Sequence, residues 1–157
     1  MGNSVPQVPD SHRDLLEQPM IAFVATVGAD GAPQCSPMWF GWDGERIRLT
    51  HTRTRQKFRN LQANPAIALA VADPADSQRY LELRGVVESV EDDSGGGFYR
   101  QLRPRYGVDP DAPMPDAAVR VVLVVRPVTV LARSPAGAAG PPSIERVSAA
   151  GRRVFRP

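Results

Sequence analysis

The segment Thr50-His51-Thr52-Arg53-Thr54-Arg55-Gln56-Lys57-Phe58-Arg59-Asn60-Leu61 concentrates groups that could hold an anion. Three threonine hydroxyls precede alternating cations, and the apolar pair Phe58 and Leu61 indicates that a helix begins there. A helix start offers unpaired backbone N–H groups and the positive end of its dipole, so the segment reads as a phosphate cradle. Arg55 and Lys57 fall in the first turn, where a cation opposes the dipole; a purely structural helix start favours acids. The alternative is a solvated basic face. A second stretch, Pro33-Gln34-Cys35-Ser36-Pro37-Met38-Trp39, pairs small polar side chains with two prolines in a strand. It reads either as an edge facing a ring-shaped ligand or as an ordinary edge strand.

Other chemistry finds less support. Cys35 is the sole cysteine, so no intrachain disulfide exists, and a Cys35–His51 pair is too small a set for a structural zinc. No metal site is expected. His51 as a base for Cys35 lacks any further sequence support, and His12 falls in an N-terminal arm expected to be flexible. Asp92-Asp93 reads as a cap, not as a catalytic carboxylate pair. Neither a Gly-rich dinucleotide fingerprint nor a P-loop occurs. A phosphate cradle without an acid, base or nucleophile set points to a protein whose chemistry resides in a bound cofactor.

The charge distribution supports a small anionic ligand. Of 19 basic residues 18 are arginine, and Lys57 is the one lysine. Arg46, Arg48, Arg53, Arg55, Lys57 and Arg59 lie within 14 residues, and no acid occurs between Arg46 and Ala72. The remainder is net acidic, with 13 cations against 17 acids. A local basic patch in a nearly neutral chain argues against nucleic acid, which calls for a basic face across the domain. The outward Arg46 and Arg48, with Arg53 and Arg59, are expected to form a cationic track leading away from the cradle. The arginine bias, with abundant Ala, Pro and Gly, is the signature of GC-rich coding, as in actinobacteria.

The elements that must position these groups follow from periodicity. At 157 residues the chain is expected to form one domain. Met20–Val27 is an apolar strand, Gly28–Gly31 a turn, and Pro33–Trp42 a second strand. Asp43-Gly44 marks a hairpin into Arg46–Thr50, which alternates strictly. A short helix spans Arg55–Ala63, capped by Thr52 or Thr54 and closed by Asn64-Pro65. Strands follow at Ala66–Ala72, Tyr80–Val90 (with Gly85 at a bulge or close approach) and Val119–Leu131, with a one-sided helix over Phe98–Tyr106. Pro127 marks an edge position or a bend in the last of these strands. Six or seven antiparallel strands with short helices make a mainly β fold, a small barrel with helical additions. Residues 1–13 form the arm, 14–133 the domain, and 134–157, rich in Pro, Gly and Arg, a tail. No apolar run is long enough for a transmembrane helix, and the N-terminus lacks the regions of a signal peptide, so a cytoplasmic location is expected. The apolar faces of Val119–Val125 and Ala66–Ala72 have few helices to cover them, which predicts a twofold dimer.

The layout FVATVGADGAPQCSPMWFGWDGERIRLTHTRTRQKFRNLQANPAIALAV, followed by RYLELRGVVESVEDD, resembles the pyridoxamine-phosphate-oxidase-like FMN-binding split-barrel family. The resemblance spans Asp14–Leu131 and is strongest to its actinobacterial branch, the oxidoreductases that use the deazaflavin coenzyme F420. Its most specific part is G-x-P-x-x-x-P followed by R-x-K-x-x-N-L-x-x-N-P. The family implies a six-stranded antiparallel split barrel and a homodimer with cofactor sites at the interface. It implies that Gln34, Cys35, Ser36 and Pro37 run along the isoalloxazine-type ring. Thr50, Thr52, Arg55 and Lys57 would hold the phosphate, with Asn60 nearby, and Gln78, Arg79 and Tyr80 would reach the partner's ring. The activity it implies is hydride transfer from reduced F420 to a small unsaturated substrate, with Ser36, His51 or Tyr80 as a proton relay. FMN is the alternative cofactor, and a non-catalytic protein that binds the cofactor or a haem-like ligand is the other alternative. The C-terminal SIERVSAAGRRVFRP lacks the Arg-x-His pattern of the vitamin B6 oxidases, so the resemblance does not extend to that activity.

Overall fold

The computed structural model of the chain describes residues 4–137 and 140–156. Nine strands form one antiparallel sheet: β1 (Ala22–Val27), β2 (Pro33–Met38), β3 (Phe40–Trp42), β4 (Ile47–Thr52), β5 (Ala66–Ala72), β6 (Tyr80–Asp92), β7 (Arg120–Ser134), β8 (Ser143–Ser148) and β9 (Gly151–Phe155). Three short helices accompany them, α1 (Asp14–Glu17), α2 (Gln56–Ala63) and α3 (Gly97–Leu102), with single 3-10 turns at Asp10–His12, Pro104–Tyr106 and Ala117–Val119. No helix among the described residues is long and apolar enough to cross a membrane.

The strand order is β2-β1-β5-β6-β7-β4-β3, with β8 and β9 added beside β7. The sheet is not closed by a ladder. Its two ends, β2 and β3, are instead consecutive in the chain and separated by one residue, Trp39. This is the split in the barrel, and it breaks the single strand expected over Pro33–Trp42. Alternation fills the interior: Ala22, Val24 and Thr26 on β1, Ile47 and Leu49 on β4, and Ile67, Leu69 and Val71 on β5 are all buried. Leu81, Leu83, Leu123 and Phe40 complete the core.

Two local signals act as the sequence indicates. Asp43 Oδ1 accepts the backbone N–H groups of Glu45 (3.0 Å) and Arg46 (2.7 Å), and Gly44 takes φ +100°, as the β3–β4 turn requires. Gly85 lies at a register shift opposite Pro127, where a Cβ would stand 2.3 Å from the Arg126 carbonyl oxygen. That contact leaves room only for glycine. Pro127 also falls where β7 exchanges β4 (paired through Val125) for β8 (paired from Thr129) along one edge, so no ladder bond is lost to the proline there.

Several expectations need correction. The segment expected to be a tail contains the β8–β9 hairpin, with Val147 packed against the core. The residues expected to be an arm hold Val8 and His12 buried, and His12 Nε2 bonds the Arg133 carbonyl at 2.8 Å. The helix expected through Tyr106 ends at Leu102, because Pro104 cannot continue it. Val121–Val125, expected to need a second copy as cover, is buried within the one chain.

Candidate functional site

β2, β4, β7, α2 and α3 converge on a cavity of about 180 Å³. Its lining comprises Ser36, Pro37, Met38 and Trp39 from β2 and the residue that follows it, Thr50, His51 and Thr52 from β4, Arg55 at the start of α2, Tyr99 on α3 and Arg120 on β7. Antiparallel register sets Arg120 opposite Thr52, at the mouth of the β4–β7 pair. Its guanidinium donates to Thr50 Oγ1 at 3.0 Å and to both oxygens of Asp116 at 3.0 and 2.9 Å. It also stacks over the Tyr99 ring at 3.5 Å from the centroid. Tyr99 is held in turn by Asp93, whose carboxylate accepts the Phe98 and Tyr99 N–H groups at the start of α3. Asp93 is thus a cap, as expected from the sequence.

The site is electropositive and partly dehydrated. His51 is 7% exposed, and its Nε2 has no hydrogen-bond partner. Burial, with the neighbouring charges of Arg55, Lys57 and Arg120, lowers its pKa from 6.5 to about 4, so the ring is neutral at pH 7. Lys57 is also buried, at 2% exposure, and donates to the Val24 carbonyl at 3.0 Å. Burial lowers its pKa as well. No carboxylate pairs with Lys57 or Arg55 among the described residues. A buried lysine without an anion is costly, and an incoming anion offsets that cost.

The sequence-expected residues divide into three groups. Ser36, Pro37, Thr50, Thr52, Arg55 and the relay candidate His51 meet at the cavity. Lys57, Asn60 and Gln34 lie behind it: Asn60 Nδ2 donates to Thr26 Oγ1 (3.1 Å) and Gln34 Oε1 (3.4 Å), while Gln56 donates to Asn60 Oδ1 (2.8 Å). These bonds dock α2 onto the β1–β2 hairpin. Cys35 is exposed, because alternation along β2 turns it to the face opposite Gln34 and Ser36. Gln78, Arg79 and Tyr80 lie away from the cavity. Arg79 is engaged within its own chain, donating to Asp14 at 2.6 and 3.0 Å and to Asp73 at 2.9 Å. The Arg79 hydrogen bonds hold the Asp14 carboxyl below its usual range, and the Ala75 N–H, followed by Arg79, does the same for Asp73.

The cationic track is not free. Arg46 bonds Glu88 at 2.6 Å, Arg48 bonds Glu91 at 2.8 Å and Arg53 bonds Asp92 at 3.3 Å. These acids lie on β6, two strands away and some 40 residues on, where a local charge count does not reach them. Arg59 donates to the Thr54 carbonyl at 2.8 Å. The expected capping by Thr52 or Thr54 is also absent: Arg55 occupies the N-cap position, and no side chain bonds the first turn. The helix start thus carries no side-chain cap, and its N-cap residue Arg55 lines the cavity.

Met38 and Trp39 end the stretch 33–39 that the sequence singles out, whereas Tyr99 and Arg120 escape a sequence reading of the site. The one available signal is Arg120 itself, a cation at the head of the apolar run Val121–Val125. A charge so placed must find a partner.

The family model for pyridoxamine 5'-phosphate oxidase matches residues 8–134. Among solved structures, the chain is similar to an F420 reductase, with 50% identity, 78% of this chain and 98% of that one covered, and a TM-score of 0.75. A pyridoxamine 5'-phosphate oxidase-related, FMN-binding protein from Nostoc punctiforme is 16% identical over 99% of this chain and 100% of its own, with a TM-score of 0.73. HutZ, a haem storage protein from Vibrio cholerae, is 21% identical over 77% of this chain and 90% of its own, with a TM-score of 0.58. The last two likenesses concern the fold alone. No curated protein matches the sequence.

Proposed function

This chain belongs to the pyridoxamine 5'-phosphate oxidase family, and we propose on that basis that it is an oxidoreductase that uses reduced F420 to deliver a hydride to a small unsaturated substrate. The observation that carries the reading is the donor set of the cavity. Thr50, Thr52 and Arg55 line a space beside the start of α2, with Lys57 buried behind it and no acid opposing them. That set fits a phosphoryl group. The choice of F420 over FMN rests on the 50% identity to an F420 reductase across nearly all of that chain.

When bound, the reduced cofactor supplies the hydride and the proton that the substrate gains. The chain's own residues bind and orient. Thr50 and Thr52 donate hydroxyl hydrogen bonds to the phosphoryl oxygens, and Arg55 supplies charge. Arg120 fixes the Thr50 hydroxyl and stacks on Tyr99 in the cavity wall. Of the relay candidates, Ser36 and the neutral His51 line the cavity. Tyr80 and Arg79 lie elsewhere in this chain, and a role for them requires the partner subunit.

We further propose a homodimer. On the outer face of the sheet, register aligns Pro37, Phe23 and Ala70 in one row and Cys35, Ala25 and Ala68 in the next. Phe23 is 54% exposed. A second copy packed on this face would cover Phe23 and place its own residues beside the β2 edge. Binding of FMN is the second reading, because the donor set of the cavity fits the phosphoryl group of either cofactor. Incubation of the purified protein with reduced F420 and a quinone or enone acceptor tests the proposal. Reoxidation of F420 that depends on the protein supports the proposal. Tight binding without turnover overturns it in favour of a carrier.

A further inference from the structure

We propose that Asp116, which does not line the cavity, is a positioning residue for phosphoryl binding: by holding Arg120 it leaves the Thr50 hydroxyl one role, that of a donor to the ligand. This rests on the phosphate-site reading above and names the pair that sets the polarity of that site. Asp116 stands at the N-cap position of the 3-10 turn Ala117–Val119, where an aspartate ordinarily bonds the first backbone N–H groups. Here its side chain makes no such bond. Both of its oxygens turn instead to Arg120, the first residue of β7.

The guanidinium is fixed on three sides. Asp116 Oδ1 accepts from Nε at 3.0 Å and Oδ2 from Nη2 at 2.9 Å, a two-point grip on one edge. The Tyr99 ring covers a face, 3.5 Å from its centroid to Cζ. Nη1, at the tip, donates to Thr50 Oγ1 at 3.0 Å. The Arg120 side chain is 10% exposed, so water does little to loosen this arrangement. Arg120 and Thr50 both belong to the cavity wall, and their shared hydrogen bond lies along it.

Polarity follows from the inventory of donors. A guanidinium has no acceptor, so the Thr50 oxygen accepts from Arg120 and its own proton must point elsewhere. Among the described residues no acceptor takes that proton. It is left for a ligand atom that only accepts, such as a phosphoryl oxygen. Thr52 differs: its hydroxyl lies 3.3 Å from that of Thr54, and either oxygen can donate, so its polarity is not fixed. The Asp116 carboxylate also offsets the charge of Arg120. Attraction for the anion thus falls to Arg55 and Lys57, which have no carboxylate partner among the described residues, and orientation falls to Thr50.

The test is a double-mutant cycle on the full-length protein with Asp116→Ala, Thr50→Val and the two combined. Each is titrated with F420 and with the same ring and sugar-alcohol chain lacking the phosphodiester. Asp116→Ala should weaken F420 binding about fivefold or more, as for a weakened hydrogen bond to a charged group, and leave the phosphate-free compound unaffected. In the Thr50→Val protein no hydroxyl remains to be held, so adding Asp116→Ala should change F420 affinity by less than about twofold. In Thr50→Ser, which restores the hydroxyl, the loss should return. Losses that add in the Thr50→Val protein mean that Asp116 does not act through Thr50, and they overturn the inference while the phosphate site stands. Unchanged or tighter F420 binding by Asp116→Ala overturns it as well, the latter by making Asp116 a competitor for Arg120. Equal affinity of the wild-type protein for the two ligands overturns the phosphate site, and this inference with it. If Asp116→Ala does not fold, Asp116→Asn keeps the side-chain shape with a weaker grip on Arg120, and its coupling to Thr50 decides in the same cycle.

Discussion

Trp39 lies flat on Tyr106, with ring centroids 4.6 Å apart and planes 4° from parallel. Trp39 is the single residue between the two ends of the sheet, and Tyr106 occupies the gap those ends leave. The Tyr106 hydroxyl accepts the Phe40 N–H at 3.1 Å and donates to the Met20 carbonyl at 2.8 Å. Tyr99 stacks on the other partner of this array, 5.6 Å from Trp39, and carries Arg120 above it. The closure of the barrel and part of the cavity wall are thus one stack of side chains.

Tyr106→Phe should therefore weaken the fold more than a surface change does. It leaves the buried Phe40 N–H and the Met20 carbonyl without their partner, at a cost of about 1–3 kcal/mol. For a chain of this size that corresponds to a melting temperature lower by roughly 2–4 °C per kcal/mol, read by calorimetry. A transition unchanged from wild type would show that the hydroxyl does not hold the split together.

Lys57→Met should act in opposite directions on folding and binding. In the protein without ligand it removes a buried charge that has one carbonyl partner, so thermal stability should be equal or higher. Cofactor affinity should fall by about tenfold, because the positive charge behind the cavity that attracts the phosphoryl group is lost. Titration and thermal melts on the same samples check both halves. Lower stability with unchanged affinity would make Lys57 a purely structural residue.

Arg48 and Arg55 should behave differently although both belong to one basic stretch. Arg48 is paired with Glu91 and Asp43, so Arg48→Ala should change cofactor affinity by no more than about twofold, as expected for exposed pairs. Arg55 faces the cavity without a carboxylate partner among the described residues, so Arg55→Ala should cost about tenfold or more. Titrations of the two variants side by side compare them.

The buried neutral histidine also predicts how folding depends on pH. The folded-state pKa of His51, about 4, lies below its unfolded value of 6.5. Between those values the unfolded chain binds more protons, so stability is full above about pH 6.5 and falls as pH drops toward 4. The loss attributable to His51 is at most about 3 kcal/mol. Chemical denaturation at pH 7 and pH 4.5 should show a smaller decline for His51→Asn than for wild type. An equal decline would mean that His51 does not titrate as its surroundings dictate.

Much of the fold was legible because it rests on local patterns. Alternation in Arg46–Thr50 and the small apolar run Ala66–Ala72 mark strands that form, and Asp43-Gly44 marks a turn that its backbone confirms. The β8–β9 hairpin was not legible: Arg146, Ser148 and Arg152 carry no apolar period, and its anchoring depends on the edge of β7 beyond Pro127. Half of the candidate site was readable for the same reason. Thr50, Thr52 and Arg55 are neighbours in sequence, whereas Trp39, Tyr99 and Arg120 are brought together only by the break at Trp39 and the β4–β7 register. The charge of the basic stretch was misleading, because Glu88, Glu91 and Asp92 answer it from a strand distant in sequence.

Parallel titrations of the wild-type protein with F420 and FMN, followed through the change in ligand fluorescence, measure which cofactor the cavity holds. Saturable binding of both at the same site is expected, with F420 the tighter ligand and each displaced by the other. Tighter binding of FMN would contradict the F420 assignment, and no saturable binding of either would contradict the cofactor site itself.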